Sequence, residues 1–270
     1  MAKLLTSIMA KQLSNIVKQH QLLPKNHFGR RPGHSTTDTM HYLSNKIHKA
    51  WNENKVVSIL FLDVKGAFTN TINTGLIHNM KKQRIPSSII KFIQHLLANR
   101  KTRLIFNNYT SNPIPVTNGI GQGDPLSMLL YIIYNADLID IPTNIASEDT
   151  LGYVDDIAIV TIGSDFTETT NRIRNIMTKP EGGLNWSKAH NSKFEVNKSV
   201  IMHLSRKSTQ DPDNNNERIP ILRPDLVLEG QTVKEVQTYK YLGILIDNRL
   251  KWKEQAQRAT ANTTKWILEF

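Results

Sequence analysis

Hydrophobic residues recur along this chain in two patterns, one typical of amphipathic helices and one typical of strands. In residues 1–23 and again after Ser35 or Thr36, apolar side chains stand three and four positions apart, which predicts helices with one buried face. The same spacing predicts a short helix around Leu76 and Met80, a helix from Ser87 or Ser88, an apolar helix after Ser127, a helix over 165–178 and a helix from about Lys253 to the end.

Two strand signals are strong. Residues 58–64 form a near-continuous apolar run, which predicts a strand buried on both faces. In residues 150–162, two apolar runs rich in β-branched residues flank Asp155 and Asp156, which predicts a tight β-hairpin with an acidic tip. Weaker signals predict hairpins over 102–116, around an Asn-rich turn, and at Glu229 and Gly230.

Acidic residues stand at both of the strong strand signals. Asp155 and Asp156 repel each other, so a partly buried tip needs a counter-charge, which a divalent metal supplies well; the alternative is an ordinary solvated turn. Asp63 ends the buried strand, where a carboxylate is costly unless it is paired or bound to metal. Its alternative role is to cap the turn that follows.

A glycine-rich segment, residues 118–127, precedes the apolar helix. Gly119, Gly121 and Gly123 surround Gln122, and a proline follows. Such a backbone either lets a ligand or template approach closely or forms an ordinary loop.

Composition narrows the functional classes. The formal net charge of +11 favours a polyanionic partner, although a merely basic protein would carry it too. The absence of cysteine excludes disulfides, zinc knuckles and thiol catalysis. The longest apolar run, residues 128–134, is too short to cross a bilayer, and Lys11 interrupts any early secretory signal, so no membrane partner is expected.

Three of these segments, in this order, resemble the palm motifs of reverse transcriptases. Asp63 with Phe68 resembles motif A, residues 121–127 resemble motif B, and residues 153–156 (Tyr-Val-Asp-Asp) resemble motif C. The closest resemblance is to non-LTR (LINE-like) retrotransposons of the fungal type, and it extends from about residue 4 to 265. Residues 27–36 resemble the fingers segment before motif A, residues 190–199 motif D and residues 239–247 motif E, the primer grip.

The N-terminal 37 residues contain no acidic residue. Mitochondrial transit peptides show that bias, but we favour a structural helix whose basic face lies beside nucleic acid, because the basic run continues into 27–36. In that segment Arg30 or Arg31 is expected to bind the triphosphate, and the sequence does not choose between them.

The resemblance implies an α+β fold of the right-hand polymerase type, with an antiparallel palm sheet. The implied divisions are fingers over 1–57 and 76–117, palm over 58–75 (motif A) and 118–247 (motifs B to E), and the start of a truncated thumb over 248–270. The implied function is RNA-directed DNA synthesis in retrotransposition, with an RNA template, a DNA primer and dNTPs as partners. The expected location is intracellular, with nucleus and cytoplasm both open, and the oligomeric state is left open.

The resemblance also implies roles for individual residues. Asp63 and Asp155 would bridge two Mg²⁺ ions, with Mn²⁺ as a substitute, while Asp156 and the Val64 carbonyl complete the site. Phe68 would exclude a 2′-hydroxyl, its alternative being a core aromatic. Lys198 would protonate the leaving pyrophosphate, unless it is a solvated surface lysine. The remaining implied contacts are Gly66, Ala67 and Gln122 for the nucleotide, and Gly121, Gly123, Tyr153, Val154, Tyr241, Leu242 and Gly243 for primer and template.

Two positions depart from the family pattern: Thr69 replaces a common acidic residue, and Asp124 replaces a frequent serine. No endonuclease is visible in the sequence. Two rival functions remain, a truncated copy that binds RNA–DNA hybrids without efficient turnover, and an RNA-dependent RNA polymerase, against which Phe68 argues.

Overall fold

The computed structural model describes residues 2–31, 33–210, 218–219 and 221–268. The helices in these ranges are α1 (Ala2–Gln19), α2 (Thr36–Asn52), α3 (Asn73–Lys82), α4 (Ser87–Leu97), α5 (Ser127–Tyr134), α6 (Ala136–Ile139), α7 (Phe166–Thr178), α8 (Gly183–Ala189) and α9 (Lys253–Leu268). The strands are β1 (Val56–Leu62), β2 (Lys101–Thr102), β3 (Ile105–Phe106), β4 (Tyr109–Thr110), β5 (Ile114–Pro115), β6 (Glu148–Tyr153), β7 (Asp156–Gly163), β8 (Val200–Leu204), β9 (Thr209–Gln210), β10 (Arg218–Ile219), β11 (Val227–Leu228), β12 (Gln231–Thr232), β13 (Lys234–Glu235), β14 (Thr238–Tyr241) and β15 (Ile244–Asp247).

A five-stranded sheet with the order β13-β8-β1-β7-β6 lies at the centre of the fold. Strand β1 is antiparallel to β7 on one side and to β8 on the other, and β6 continues the sheet beyond β7. The expectation of a purely antiparallel sheet is wrong at one edge, because β13 runs parallel to β8. The chain between β8 and β13 is long enough for the crossover that a parallel pair requires.

Strand β1 is buried along its whole length, as its unbroken apolar run predicts. Ile59 and Phe61 pack on the face that α2 covers, together with Leu43. Leu60 and Leu62 point to the opposite face, whose core includes residues of α3 to α8. Alternate side chains therefore fill two cores, and this fixes the register of the strand.

The predicted helices are present, with α2 capped at Ser35 by a capping box to Asp38. Helix α8, which carries the buried Trp186, was not predicted because it is only seven residues long. The hairpin predicted over 102–116 consists of two short ladders, β2–β5 and β3–β4. Residues 206–218 are polar and low in apolar content, which predicts a surface loop; residues 211–217 of that stretch lie outside the described residues. No helix in the described ranges combines the length and apolar content needed to span a bilayer.

A buried carboxylate ties α2 to the sheet. Asp149 on β6 accepts hydrogen bonds from the Tyr42 hydroxyl (2.7 Å), the Lys46 ammonium (2.5 Å) and the Asn26 side-chain amide. The Asp149 side chain is 3% exposed and that of Lys46 is 15% exposed. Because these charges are largely removed from water, each depends on the other.

Candidate active site

Sheet register brings the three predicted carboxylates to one end of two adjacent strands. The β1–β7 ladder ends at the pair Leu62 and Ile157. Asp63 directly follows β1 at this end, and Asp156 is the first residue of the neighbouring β7. In the β6–β7 hairpin, Tyr153 pairs with Asp156. The turn therefore consists of Val154 and Asp155, a correction of one residue to the predicted Asp-Asp tip.

The carboxylates interact electrostatically. Asp155 and Asp156 are accessible to solvent, yet the surrounding protein removes part of their hydration. This desolvation, followed by repulsion from Asp155 and Asp63, raises the pKa of Asp156 to about 6. Desolvation and the Asp63 charge also raise the pKa of Asp155. The site is thus too negative in isolation and favours a bound cation.

The donor set suits Mg²⁺ or Mn²⁺, which prefer carboxylate and carbonyl oxygens. Val64 forms an isolated antiparallel bridge with Phe194. The Asp63 carbonyl accepts a hydrogen bond from the Glu195 amide (2.9 Å) in this bridge, whereas the Val64 carbonyl points away from it. Among the described residues, no three His, Cys, Asp or Glu side chains are grouped closely enough to hold a metal as they stand. The carboxylates fit in chemistry and position, but their side chains must turn to share an ion.

The raised pKa of Asp156 predicts a pH-dependent penalty on stability. Above about pH 6 the carboxylate is charged in both folded and unfolded chains, and the folded state disfavours that charge; below its ordinary pKa of 3.8 the carboxyl is neutral in both. We expect Asp156→Asn to raise the melting temperature at pH 7.5, and the gain to disappear as the pH falls from 6 to 4. Thermal melts across this pH range check it; an equal gain at pH 3.5 would contradict it.

The turn that carries Asp155 is braced by the segment before α2. The Phe28 amide donates to the Gly152 carbonyl (2.8 Å), and the Gly152 amide donates to the Asn26 carbonyl (3.0 Å). A Cβ on Gly29 would lie 2.6 Å from the Val154 nitrogen, so only glycine allows this close approach. The segment predicted as part of the fingers therefore packs directly on the acidic hairpin. Pro32, which belongs to this segment, lies outside the described residues.

Asn135 is a functional candidate that the sequence analysis missed. Val154 has φ of 62°, an unfavourable conformation for a β-branched residue. The Asn135 side-chain amide donates to the Val154 carbonyl (2.6 Å) and is 1% exposed. Asn135 thus positions the turn without touching the reacting atoms. The signal was available: a polar residue directly follows the longest apolar run.

For the polymerase activity that the sequence resemblance implies, we expect Asn135→Ala to reduce the rate about tenfold to a hundredfold and to raise the Mg²⁺ concentration needed for half-maximal rate, because a displaced carboxylate holds its ion less well. The measurement is a Mg²⁺ titration of the primer-extension rate. Ser187→Ala, a buried polar position on α8, is the control for a general loss of packing. An unchanged Mg²⁺ requirement in Asn135→Ala would show that the residue only stabilises the fold.

A cleft of about 890 Å³ opens in front of the carboxylates. Its walls include Arg30, Arg31, His34, Phe68, Tyr153, Val154, Asp155, Asp156 and residues of α1 such as Lys11. The structure separates the two arginines that the sequence could not. The Arg31 guanidinium donates to the carbonyls of residues 24, 25 and 27, whereas Arg30 is exposed. Arg30 is therefore the better candidate for a phosphate contact.

The motif A turn and the glycine-rich loop form one unit. Gly66 adopts φ of 55° within the turn, and the half-buried ring of Phe68 packs on Tyr131 with centroids 5.2 Å apart. The Ile120 amide donates to the Phe68 carbonyl (2.8 Å) and the Gly119 amide to the Thr71 carbonyl (2.7 Å). This docking places the loop that bears Gln122 beside Phe68, with Gly66 and Ala67 in the same turn.

The glycine-rich loop ends in the start of α5. Gln122, Gly121 and Gly123 are exposed, and Gly123 has φ of 80°. The Asp124 carboxylate accepts from the Leu126 amide (2.9 Å), so this departure from the family pattern has a local function at the helix start. The exposed amide of Gln122 remains available to a ligand.

Lys198 lies beside Asp63, but its surroundings do not favour proton donation. Its ammonium pairs with the Glu195 carboxylate and stands 4.0 Å from Asp63 Oδ2. Glu195 raises the pKa of Lys198, which makes the ammonium a weaker acid. The general-acid role of Lys198 therefore stays a prediction, and it requires the ion pair between Lys198 and Glu195 to break.

The motif E hairpin supplies one correction. The ring of Tyr241 is buried and packs on Phe61 with centroids 5.0 Å apart, so its side chain is not available to a primer. Side chains alternate between the two faces of β14, and Tyr241 lies on the buried face. Leu242 (φ of 49°) and the exposed Gly243 (φ of 85°) form the turn and remain candidates for that contact.

Comparison with known proteins identifies close parallels. The chain is 27% identical over 265 residues to a probable RNA-directed DNA polymerase from transposon BS of Drosophila melanogaster, a match that covers 96% of this chain and 28% of the relative. It is 23% identical over 278 residues to the RNA-directed DNA polymerase from mobile element jockey of the same species, covering 99% of this chain and 29% of the relative. The chain thus spans under a third of the length of these relatives.

Among solved structures, apo telomerase from Candida tropicalis matches with a TM-score of 0.60 at 10% identity, covering 93% of this chain and 40% of that one. This likeness shows the fold, which is the right-hand polymerase fold. The family model described as reverse transcriptase (RNA-dependent DNA polymerase) matches residues 1–246. With that match, the three motifs and the converging carboxylates, the chain belongs to the reverse transcriptase family.

Proposed function

We propose that this chain copies an RNA template into DNA by extending a DNA primer with dNTPs, as the polymerase part of a non-LTR retrotransposon. The observation that carries the proposal is the convergence of Asp63, Asp155 and Asp156 at one end of β1 and β7. Their negative charges together form a site for the divalent cations that nucleotidyl transfer requires.

The reaction joins the primer hydroxyl to the α-phosphorus of the dNTP and releases pyrophosphate. Two divalent ions, when bound by Asp63, Asp155, Asp156 and the Val64 carbonyl, would neutralise the charge that gathers on the transferring phosphoryl group. Arg30 and the Gly66 and Ala67 amides would bind the triphosphate. Gln122 would contact the nucleotide or its templating base.

The remaining groups would hold primer and template. Tyr153 and Val154 lie beside the carboxylates on the cleft wall, a position suited to the primer terminus. The turn of Leu242 and Gly243 would support the primer strand, and Gly121 and Gly123 would allow the template backbone to approach. We propose the division into fingers, palm and partial thumb at the boundaries predicted from the sequence.

Primer extension tests the proposal. A DNA primer annealed to an RNA template, with dNTPs and Mg²⁺, should give full-length complementary DNA whose synthesis stops on chelation of Mg²⁺. Failure to extend, together with intact binding of the RNA–DNA hybrid, would show instead a hybrid-binding module.

Sugar discrimination separates the proposal from an RNA polymerase. The Phe68 ring is half-buried on the cleft wall above Tyr131, so a smaller side chain would open space for a 2′-hydroxyl. We expect Phe68→Val to raise incorporation of NTPs relative to dNTPs at least tenfold, within the range of about 1–3 kcal/mol for a steric change in a pocket. Competing single-nucleotide extension measures the ratio. Preference of the unsubstituted chain for NTPs would contradict the proposal.

A further inference from the structure

Charge is distributed very unevenly along this chain. No acidic residue occurs between Asp63 and Asp124, a stretch that contains the cations Lys65, Lys81, Lys82, Arg84, Lys91, Arg100, Lys101 and Arg103. A surface built from such a segment attracts polyanions and offers no acidic group to a basic partner.

The most exposed element in this stretch is the hairpin arm, which we define as residues 101–115. It is held by the short ladders β2–β5 and β3–β4 and by two hydrogen bonds between Leu104 and Ser111. Its residues are exposed except for the half-buried Ser111. Its large apolar side chains are exposed by 41–74%, at Leu104, Ile105, Phe106, Tyr109 and Ile114. A two-stranded hairpin with this much exposed apolar surface is marginal alone, which indicates a binding surface.

The arm combines aromatic faces with cations. Phe106 and Tyr109 pair across the β3–β4 ladder with ring centroids 5.1 Å apart, and both side chains are more than half exposed. Two exposed cations lie in the same arm, Lys101 on β2 and Arg103 between β2 and β3. Exposed aromatic rings beside basic side chains are the features by which proteins stack and hold unpaired nucleotides.

The base of the arm is fixed to the glycine-rich loop. The Arg100 guanidinium donates to the carbonyls of Gly119 (2.6 Å) and Asn118 (3.1 Å), and the Val116 amide donates to the Arg100 carbonyl (2.8 Å). Gln122 follows Ile114 by only eight positions, a span of at most about 28 Å. A strand that leaves the cleft near Gln122 can therefore reach the arm.

We propose that the hairpin arm is a stacking platform for single-stranded nucleic acid, and that it holds unpaired template beyond the cleft through Phe106 and Tyr109. This inference rests on the proposed function for its choice of strand. The occupant is a single strand rather than a duplex, because paired bases do not present their faces to protein side chains.

Fluorescence anisotropy with a labelled 20-nucleotide RNA homopolymer, in EDTA and without dNTPs, measures this binding apart from catalysis. We expect the double variant Phe106→Leu and Tyr109→Leu to bind at least tenfold more weakly, because leucine keeps apolar surface but has no π-face. The double variant Phe106→Trp and Tyr109→Trp keeps an aromatic ring at each position and should bind at least as well as the unsubstituted chain. Ile145→Ser, which alters an apolar side chain 82% exposed elsewhere, is the matched control and should change nothing.

Primer extension on templates with one or twenty unpaired nucleotides separates this inference from the proposed function. The leucine variant should lose affinity only for the longer overhang, while extension on the short overhang shows that the carboxylates still work. Unchanged binding of the single strand by the leucine variant would overturn the inference. So would equal loss on both templates, or loss of self-association with unchanged RNA binding, which would identify the arm as a protein interface.

Discussion

Asp155→Asn is expected to abolish primer extension, with a rate at least about a thousandfold lower. Asp155 sits in the turn between β6 and β7, where desolvation by the surrounding protein raises its pKa and the nearby Asp63 charge raises it further. An amide has the same shape but no charge, and loss of a preorganised electrostatic contact typically lowers a rate a hundredfold to a thousandfold. Loss of a group that holds an ion should exceed that range. Single-turnover primer extension with dNTPs and Mg²⁺ is the measurement.

The same substitution should leave the fold intact. Because desolvation and Asp63 disfavour the Asp155 carboxylate, its neutralisation should not lower the melting temperature at neutral pH. Asp137→Asn, which removes a surface carboxylate paired with Lys82, is the matched control and should extend primers at the normal rate. Residual activity within tenfold of the unsubstituted chain would mean that Asp155 does not hold the ion.

Asp149→Ala is expected to destabilise the protein by about 3–5 kcal/mol, the range for breaking a buried charged pair by removing one partner. Asp149 accepts hydrogen bonds from Asn26, Tyr42 and Lys46, so its loss removes the acceptor of three donors, among them the Lys46 ammonium, whose side chain is only 15% exposed. These contacts join α2 and the segment before it to β6, which carries the acidic hairpin. Urea unfolding at pH 7 measures the change.

A surface pair gives the control for this prediction. Glu53→Ala breaks a bridge to Lys55 in which both side chains are about half exposed, so it should lower the free energy of unfolding far less than Asp149→Ala does. Combining Asp149→Ala with Lys46→Met should recover part of the loss, because the stranded charge is removed as well. Equal effects of Asp149→Ala and Glu53→Ala would mean that the buried network contributes little.

The central strand and the acidic hairpin were predictable because their signals are local. The apolar run of β1 specifies burial on both faces, and its register with β7 follows once both faces are filled. Strand pairing then brings Asp63, Asp155 and Asp156 to the same end of the sheet. The order of motifs A, B and C along the chain, by which the family resemblance was identified, agrees with this placement. The short edge strand β13 carries no such signal, so its parallel pairing could not be predicted.

Other features depend on contacts between distant residues. Arg30 and Arg31 are the same residue type, so the sequence alone does not distinguish them. In the fold, the Arg31 guanidinium donates hydrogen bonds to the carbonyls of residues 24, 25 and 27, whereas Arg30 is exposed. Tyr241 resembles a primer contact by motif, but its strand register turns the ring toward Phe61. A local signal marks Asn135 as a polar residue after the longest apolar run, but its hydrogen-bond partner Val154 lies 19 positions away, and no local pattern encodes that pairing.

The central claim is that Asp63, Asp155 and Asp156 together hold a pair of divalent ions, and Mn²⁺ electron paramagnetic resonance tests it most directly. The sample is the chain with an RNA template, a dideoxy-terminated DNA primer and the matching dNTP. We predict two Mn²⁺ per chain with the spin coupling of ions about 3.5–4 Å apart, and loss of the coupled signal in Asp63→Asn and in Asp155→Asn. A single uncoupled Mn²⁺, or a coupled pair that survives both substitutions, would contradict the account.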